Sequence, residues 1–278
     1  MKREAVLDYF IYNNKEYCTD NMEVFDNIHD QSIYEVIRLI EGAPLFLEDH
    51  LERLRKSANL LGCGVNKSNE EITSEIMKLV ELNQCKNINV KLLCSNLKEE
   101  CQQFLTYFIE SHYPEQEVYQ KGIHTILYNS ERENPNAKIM NMGLREKVNK
   151  RIQEKNAYEA LLVNKERYIT EGSRSNMFFV KKNCVYTAPA GDVLLGVTRT
   201  RIMKVCRDLR IDVRERAIHE SQIASLDGAF MTGTSVNVLP IRSIDEVVLN
   251  SVQDPIIHKI TDGYMNEMKN YIENRNAR

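Results

Sequence analysis

Residues 32–62 change hydrophobic period midway, and few architectures accommodate both halves. Ser32-Ile33-Tyr34-Glu35-Val36-Ile37-Arg38-Leu39-Ile40 alternates, as a strand with one buried face does. Beyond it the apolar positions become Leu47, Leu51, Leu54, Ala58 and Leu61. That spacing of three or four predicts an amphipathic helix over 48–61. Glu41-Gly42 is a turn between the two, and Gly62 is placed to cap the helix end. A half-buried strand followed by a half-buried helix has to pack in sheet-and-helix layers.

The same reading covers the rest of the chain. Strands are expected at 5–12, 87–94 and 103–110, and a helix at 69–82. Residues 111–136 lose periodicity and carry Pro114 and Pro135, with a short strand at 123–128 between two polar stretches. This places a first domain at 1–115, a linker region at 116–136 and a second domain at 137–278. A helix at about 139–156 follows. Short strands come next at 160–163, 168–170, 176–180 and 185–187, the last two joined by a turn at Lys181-Lys182-Asn183. A helix over 199–209 carries Ile202, Val205, Cys206 and Leu209 on one face. A strand at 211–218, a short helix near 220–226, strands at 228–232 and 238–244 and a helix at 255–273 complete the reading.

The bulk properties exclude several function classes. The chain has 278 residues, 42% hydrophobic and 28% charged, the composition of a globular protein. A formal net charge of −3 implies no strongly basic surface, so nucleic acid is not expected as a partner. No apolar run approaches the roughly 20 residues needed to span a bilayer, and Asp8 interrupts any signal-peptide core, so a cytoplasmic location is expected. The seven cysteines include no C-x-x-C and no zinc-like spacing to histidine; they are expected reduced and mostly buried, with no metal site.

One lysine stands out by its frame. Lys138 lies in Ala137-Lys138-Ile139-Met140-Asn141, and 33 positions later comes Glu171 in Thr170-Glu171-Gly172-Ser173-Arg174-Ser175-Asn176. Tyr158-Glu159-Ala160 begins 20 residues after the lysine. Taken alone, Lys138 is one of 37 Lys and Arg and reads as a solvated side chain. Together these segments resemble the centre of the fold-type IV, or class IV, pyridoxal-phosphate enzymes. That family includes branched-chain and D-amino acid aminotransferases and aminodeoxychorismate lyase.

The resemblance implies an α/β (α+β) fold of two domains, small N-terminal and larger C-terminal, with pyridoxal 5'-phosphate as cofactor. It implies Lys138 as the Schiff-base lysine and proton carrier, and Glu171 facing the pyridine nitrogen, where a carboxylate keeps that nitrogen protonated. Leu195-Gly196-Val197-Thr198-Arg199 opens a helix whose first N–H groups suit a phosphate dianion. Gly196, Val197 and Thr198 are therefore expected on the phosphate, with Thr234 and Ser235 of Thr232-Gly233-Thr234-Ser235. His50-Leu51-Glu52-Arg53-Leu54 resembles the family's His-x-x-Arg-Leu, which implies Arg53 as a further phosphate ligand; without the motif Arg55 would be equally eligible. Tyr34 is expected on the substrate side.

Elsewhere the sequence departs from the family's patterns. Asn27-Ile28-His29-Asp30-Gln31-Ser32 lacks the expected glycines, Met142 stands where branched-chain enzymes carry a tyrosine, and Leu92–Glu100 has no arginine or histidine to trap a carboxylate. Arg174, where relatives usually place a small residue, is the candidate for that task. The expected reaction is transamination between an amino acid, branched-chain-type or broad L, and a 2-oxo acid, in a homodimer. D-amino acid transamination, pyruvate elimination from aminodeoxychorismate and cofactor binding without catalysis are the alternatives.

Overall fold

The computed structural model describes residues 3–28, 32–99, 101–132 and 134–276, so His29–Gln31 of the glycine-free lead-in lie outside them. The chain divides into two compact units. One comprises Met1–His112, Ala137–Asn141 and Asn270–Arg278; the other comprises Tyr113–Asn136 and Met142–Lys269. Among the described residues the strands form two sheets, one in each unit.

The sheet of the first unit is antiparallel. Its order is Lys15–Cys18, Tyr9–Tyr12, Gln103–Ile109, Asn89–Ser95, Ile33–Ile40, Ala43–Pro44. Alternation in Ile33–Ile40 is realised in full: Ile33, Glu35, Ile37 and Leu39 are buried, while Tyr34, Val36, Arg38 and Ile40 are half-buried. The buried face meets the stripes of two helices, Leu47–Leu60 and Asn69–Asn83, in one core with Val90, Leu92, Phe104 and Phe108. Each such apolar side chain contributes about 1.5–3 kcal/mol on burial. The opposite face packs Phe10, Phe25, Ile28, Leu93, Leu105 and Tyr107. Glu41 (φ 54°) and Gly42 (φ 85°) make the two-residue turn after Ile40, and Gly62 (φ 72°) ends the first helix as expected.

In the second unit the order is Val213–Glu215, Cys184–Thr187, Asn176–Lys181, Gly228–Gly233, Asn237–Ile244, Ile123–Asn129, Glu159–Val163, Tyr168–Gly172, Ile218–His219. Strand Asn237–Ile244 joins two halves. Its first residues pair antiparallel with Gly228–Gly233, and beyond Pro240 it pairs parallel with Ile123–Asn129. Lys182 and Asn183, both at positive φ, form the expected hairpin turn.

Some expectations need correction. Residues 116–136, expected as a linker region, hold a helix that was not expected, Gln116–Lys121, while the expected strand, here Ile123–Asn129, pairs inside the second sheet. The helix expected from 139 begins at Met142. Residues before it run extended instead, because Ile139 bridges to Ile33 and packs on the first unit's core. The expected strand 211–218 is two pieces, Val213–Glu215 and Ile218–His219. Leu209 is 46% exposed, since the helix Val197–Asp208 ends one residue before it. All seven cysteines are free, but only Cys94, Cys184 and Cys206 are buried, and Cys18 and Cys101 are exposed. Among the described residues no helix is long and apolar enough to cross a membrane, and no group of His, Cys, Asp and Glu could hold a metal ion.

Candidate functional site

Lys138 owes its position to a strand edge. The Tyr34 N–H donates to the Lys138 carbonyl at 3.1 Å, and the Met140 N–H donates to the Ser32 carbonyl at 3.0 Å. The Lys138 N–H donates to Ser57 Oγ at 3.1 Å, and that hydroxyl donates to the Arg53 carbonyl at 2.9 Å. The short segment Ala137–Asn141 is thereby fixed to both a strand and a helix. Its lysine Nζ stands 4.7 Å from the centroid of the Tyr34 ring, within cation–π range.

Behind that strand lies a buried ionic cluster. Glu35 is fully buried, placed there by the alternation that puts Ile33 and Ile37 in the core. Arg53 Nε and Nη2 donate to the two Glu35 oxygens at 2.7 and 2.6 Å, a bidentate pair. His50 Nδ1 donates to Glu35 Oε2 at 2.8 Å. Burial pushes the Glu35 carboxyl up, but the Arg53 charge and hydrogen bonds, with the His50 bond, outweigh it and hold it at about 2. Burial pushes His50 below its ordinary value, so it sits as the neutral donor. Arg55, the alternative to Arg53, bonds Asn69 and the carbonyls of Val65 and Lys67 instead.

In the second unit, Glu171 lies near the end of strand Tyr168–Gly172 and is buried. The Leu194 N–H donates to its Oε2 at 3.2 Å, and Arg132 Nε is 3.0 Å from its Oε1. The loop after this strand turns around another carboxylate. Glu159, 1% exposed, accepts from the Ala160 N–H, from the N–H and hydroxyl of Ser173, and from the Ser175 hydroxyl, at 2.6–3.2 Å. A Cβ at Gly172 would overlap Ser175 Oγ and displace that hydroxyl from Glu159. Arg174 is exposed; burial pushes the Tyr158 hydroxyl up, and the Arg174 charge nearby pulls it down.

The helix Val197–Asp208 begins at Gly196 with no capping side chain, so its first turn offers N–H groups and the positive dipole end to an anion. Asn176 fixes this corner: its Nδ2 donates to the Leu194 carbonyl at 2.8 Å, and its Oδ1 occupies the space a Cβ at Gly196 would need. Val197 and Thr198 are buried in the first turn, whereas Thr234 and Ser235 lie half-buried in the turn after strand Gly228–Gly233. Buried Arg199 donates to the Ala188 carbonyl at 3.1 Å and to Glu215 at 2.9 Å.

The expected residues thus fall into two groups, Tyr34, Arg53 and Lys138 in the first unit, and Glu171, Arg174, Gly196, Val197, Thr198, Thr234 and Ser235 in the second. Sequence reasoning passed over Glu35, Ser57, Arg132 and Glu159. Glu35 and Ser57 carried a signal, each being a polar residue among apolar neighbours of one period. Glu159 sat inside a segment already singled out. Arg132 carried none, as one cation in a polar stretch.

Comparisons with known proteins point one way. The family model described as amino-transferase class IV matches residues 32–244. A D-alanine aminotransferase of Bacillus licheniformis is 29% identical over 230 residues, covering 79% of this chain and 81% of the relative. A probable branched-chain-amino-acid aminotransferase of Rickettsia bellii is 30% identical over 248 residues, covering 83% of each. The fold is that of the branched-chain amino acid aminotransferase of Escherichia coli, with a TM-score of 0.81 at 21% identity over 95% of each chain. Because the family match takes in most of the chain, the protein belongs to the class IV aminotransferases, enzymes that work with pyridoxal 5'-phosphate.

Proposed function

We propose that the protein exchanges amino groups between an amino acid and a 2-oxo acid, with branched-chain-type or broad L-amino acids as donors, and that Lys138 moves the proton. The observation that supports this most is the setting of Lys138, with both its main-chain N–H and its carbonyl hydrogen-bonded and its amine over the Tyr34 ring. An amine so placed is oriented by its backbone rather than free in solvent, as a group that must reach one atom has to be. When bound, pyridoxal phosphate supplies the aldehyde that takes up amino groups and the ring that accepts electron density.

The residues fit that cofactor. The glycine-capped helix offers the N–H groups of Val197 and Thr198 to a phosphate dianion, with Thr234 and Ser235 in a turn beside a neighbouring strand end. Arg53 is assigned to the same phosphate, with Glu35 and His50 fixing the plane of its guanidinium. Glu171 is assigned to the ring nitrogen, whose proton a carboxylate retains. With the cofactor bound, Lys138 as the free amine would take up the proton of the substrate α-carbon and hold it for return. Tyr34 lines the substrate side and Arg174 takes the substrate carboxylate. A cytoplasmic homodimer belongs to the same reading.

The test is borohydride reduction of the cofactor-loaded protein, peptide mapping, and a panel of L- and D-amino acids with 2-oxoglutarate or pyruvate, plus aminodeoxychorismate. The pyridoxyl label is expected on Lys138; a label on Lys147 or Lys150 with Lys138 free would sink the assignment. Similarity to a D-alanine aminotransferase makes D-amino acids the second reading, and turnover of D-alanine alone would establish it.

A further inference from the structure

Glu171 does not stand alone in its site. Arg132 Nε contacts Glu171 Oε1 at 3.0 Å, while Arg132 Nη2 donates to the Ser173 carbonyl at 2.8 Å. Ser173 in turn gives both its N–H and its hydroxyl to Glu159 Oε1, at 3.2 and 2.6 Å. Glu159 is buried, and its Oε2 accepts from Ser175 at 3.0 Å. Four residues, with the main-chain carbonyl of Ser173 as one link, form a connected path from a buried carboxylate to the Glu171 carboxylate, all within the second unit.

We propose that Arg132 is a positioning residue that keeps Glu171 an anion of fixed orientation, and that Glu159 holds Arg132 in place through Ser173. The Glu171 side chain is 4% exposed. A carboxylate so buried tends toward the neutral acid unless a cation or several N–H and O–H donors stand against it; Glu159 is met by such donors, and Glu171 by Arg132 together with the Leu194 N–H. The distinction decides which way a hydrogen bond to a ring nitrogen runs. An anionic Glu171 accepts the proton of a protonated nitrogen; a neutral Glu171 donates its own proton to an unprotonated one. Only the first arrangement leaves a positive charge on the ring. Arg132 therefore sets the direction of that bond. Glu159 sets Arg132 because three main-chain N–H groups, those of Ala160, Ser173 and Arg174, point at its carboxylate and cannot reverse.

This inference rests on Glu171 facing the ring nitrogen, and two measurements separate its failure from failure of that reading. The first needs no cofactor. Infrared difference spectra of the full-length apoprotein compare R132Q with R132Q/E171Q, and wild type with E171Q. A protonated carboxylic C=O stretch is expected from Glu171 in the R132Q pair and not in the wild-type pair. An ionised Glu171 without Arg132 overturns the proposal, whatever the cofactor does.

The second compares binding of pyridoxal phosphate with its 1-deaza analogue, in which C–H replaces the ring nitrogen. Wild type is expected to prefer the natural cofactor by roughly tenfold or more, the equivalent of about 1.4 kcal/mol. R132Q should lose most of that preference, E159Q should lose part of it, and R132K, which retains the charge, should recover part. A variant that binds both compounds equally more weakly, with the preference intact, would make Arg132 merely structural and refute the proposal. Absence of any preference in wild type, with the infrared result as expected, would count against the ring-nitrogen assignment of Glu171 and leave the Arg132 relay standing.

Discussion

Replacing Glu35 with glutamine should destabilise the first unit by about 3–5 kcal/mol, the cost of leaving a buried guanidinium uncompensated. The structure supplies the terms. Arg53 is 9% exposed and Glu35 is fully buried, and the pair is bidentate with His50 as a third partner. A carboxyl held at about 2 against an ordinary 4.5 contributes on the order of 3 kcal/mol at neutral pH. The sign follows from the direction of the shift. The folded pKa is depressed, so this stabilisation is fully present above about 4.5 and is lost as the pH falls toward 2. His50, also depressed, acts in the same direction, its share fading as the pH drops below 6.5. Urea denaturation of the apoprotein from pH 7 to pH 3 should therefore show wild type losing stability faster than E35Q on the acid side. E35Q/R53M should recover much of the loss at pH 7, because no charge is left unpaired. A loss under about 1 kcal/mol in E35Q, or a double variant no better than the single, would refute the account of this cluster.

Four further outcomes are expected. Gly196→Ala drives a Cβ into Asn176 Oδ1 and should weaken cofactor binding by tenfold or more, at a stability cost of about 1–3 kcal/mol, read by titration and thermal melting. Ser57→Ala removes the acceptor of the Lys138 N–H; stability should fall by about 1 kcal/mol, with slower labelling of Lys138 by cofactor and borohydride. Glu171→Gln should still bind cofactor but slow the amino-acid half-reaction roughly 30- to 150-fold, as loss of about 2–3 kcal/mol implies; stopped-flow rates check it. Arg174→Ala should raise KM for amino and oxo acids about tenfold with little change in cofactor affinity, and wild-type KM values would return Arg174 to the solvent.

Whatever depends on near neighbours in the chain was legible in the sequence. The alternation over 32–40 and the three-or-four spacing after Leu47 declared a strand and a helix, and both formed with ends shifted by a residue or so. The turn residues Glu41-Gly42 and Lys182-Asn183 adopted the positive φ that their hairpins need. Lys138, Glu171 and the Gly196 corner could be singled out because their spacing and flanking residues resemble the pattern of one family. Periodicity failed where tertiary pairing overrode it. Residues 139–141 look helical in continuity with the helix Met142–Glu154, yet Ile139 gains more from the strand edge at Ile33 and from the core beneath it.

The ion pairs were decided only by the fold. Arg53 and Arg55 are equivalent as letters, and burial against Glu35 separates them. Arg132 could have met any of the acidic residues around it, and the packing of strand Tyr168–Gly172 beside its segment chose Glu171. A buried charge finds its partner through three-dimensional proximity, and in a chain with 37 basic and 40 acidic residues the order of letters leaves too many pairings open. Sequence therefore determined the family and most of the elements, and it singled out the residues with a local frame. Tertiary structure alone determined which charges compensate one another, because a low dielectric penalises every unpaired alternative.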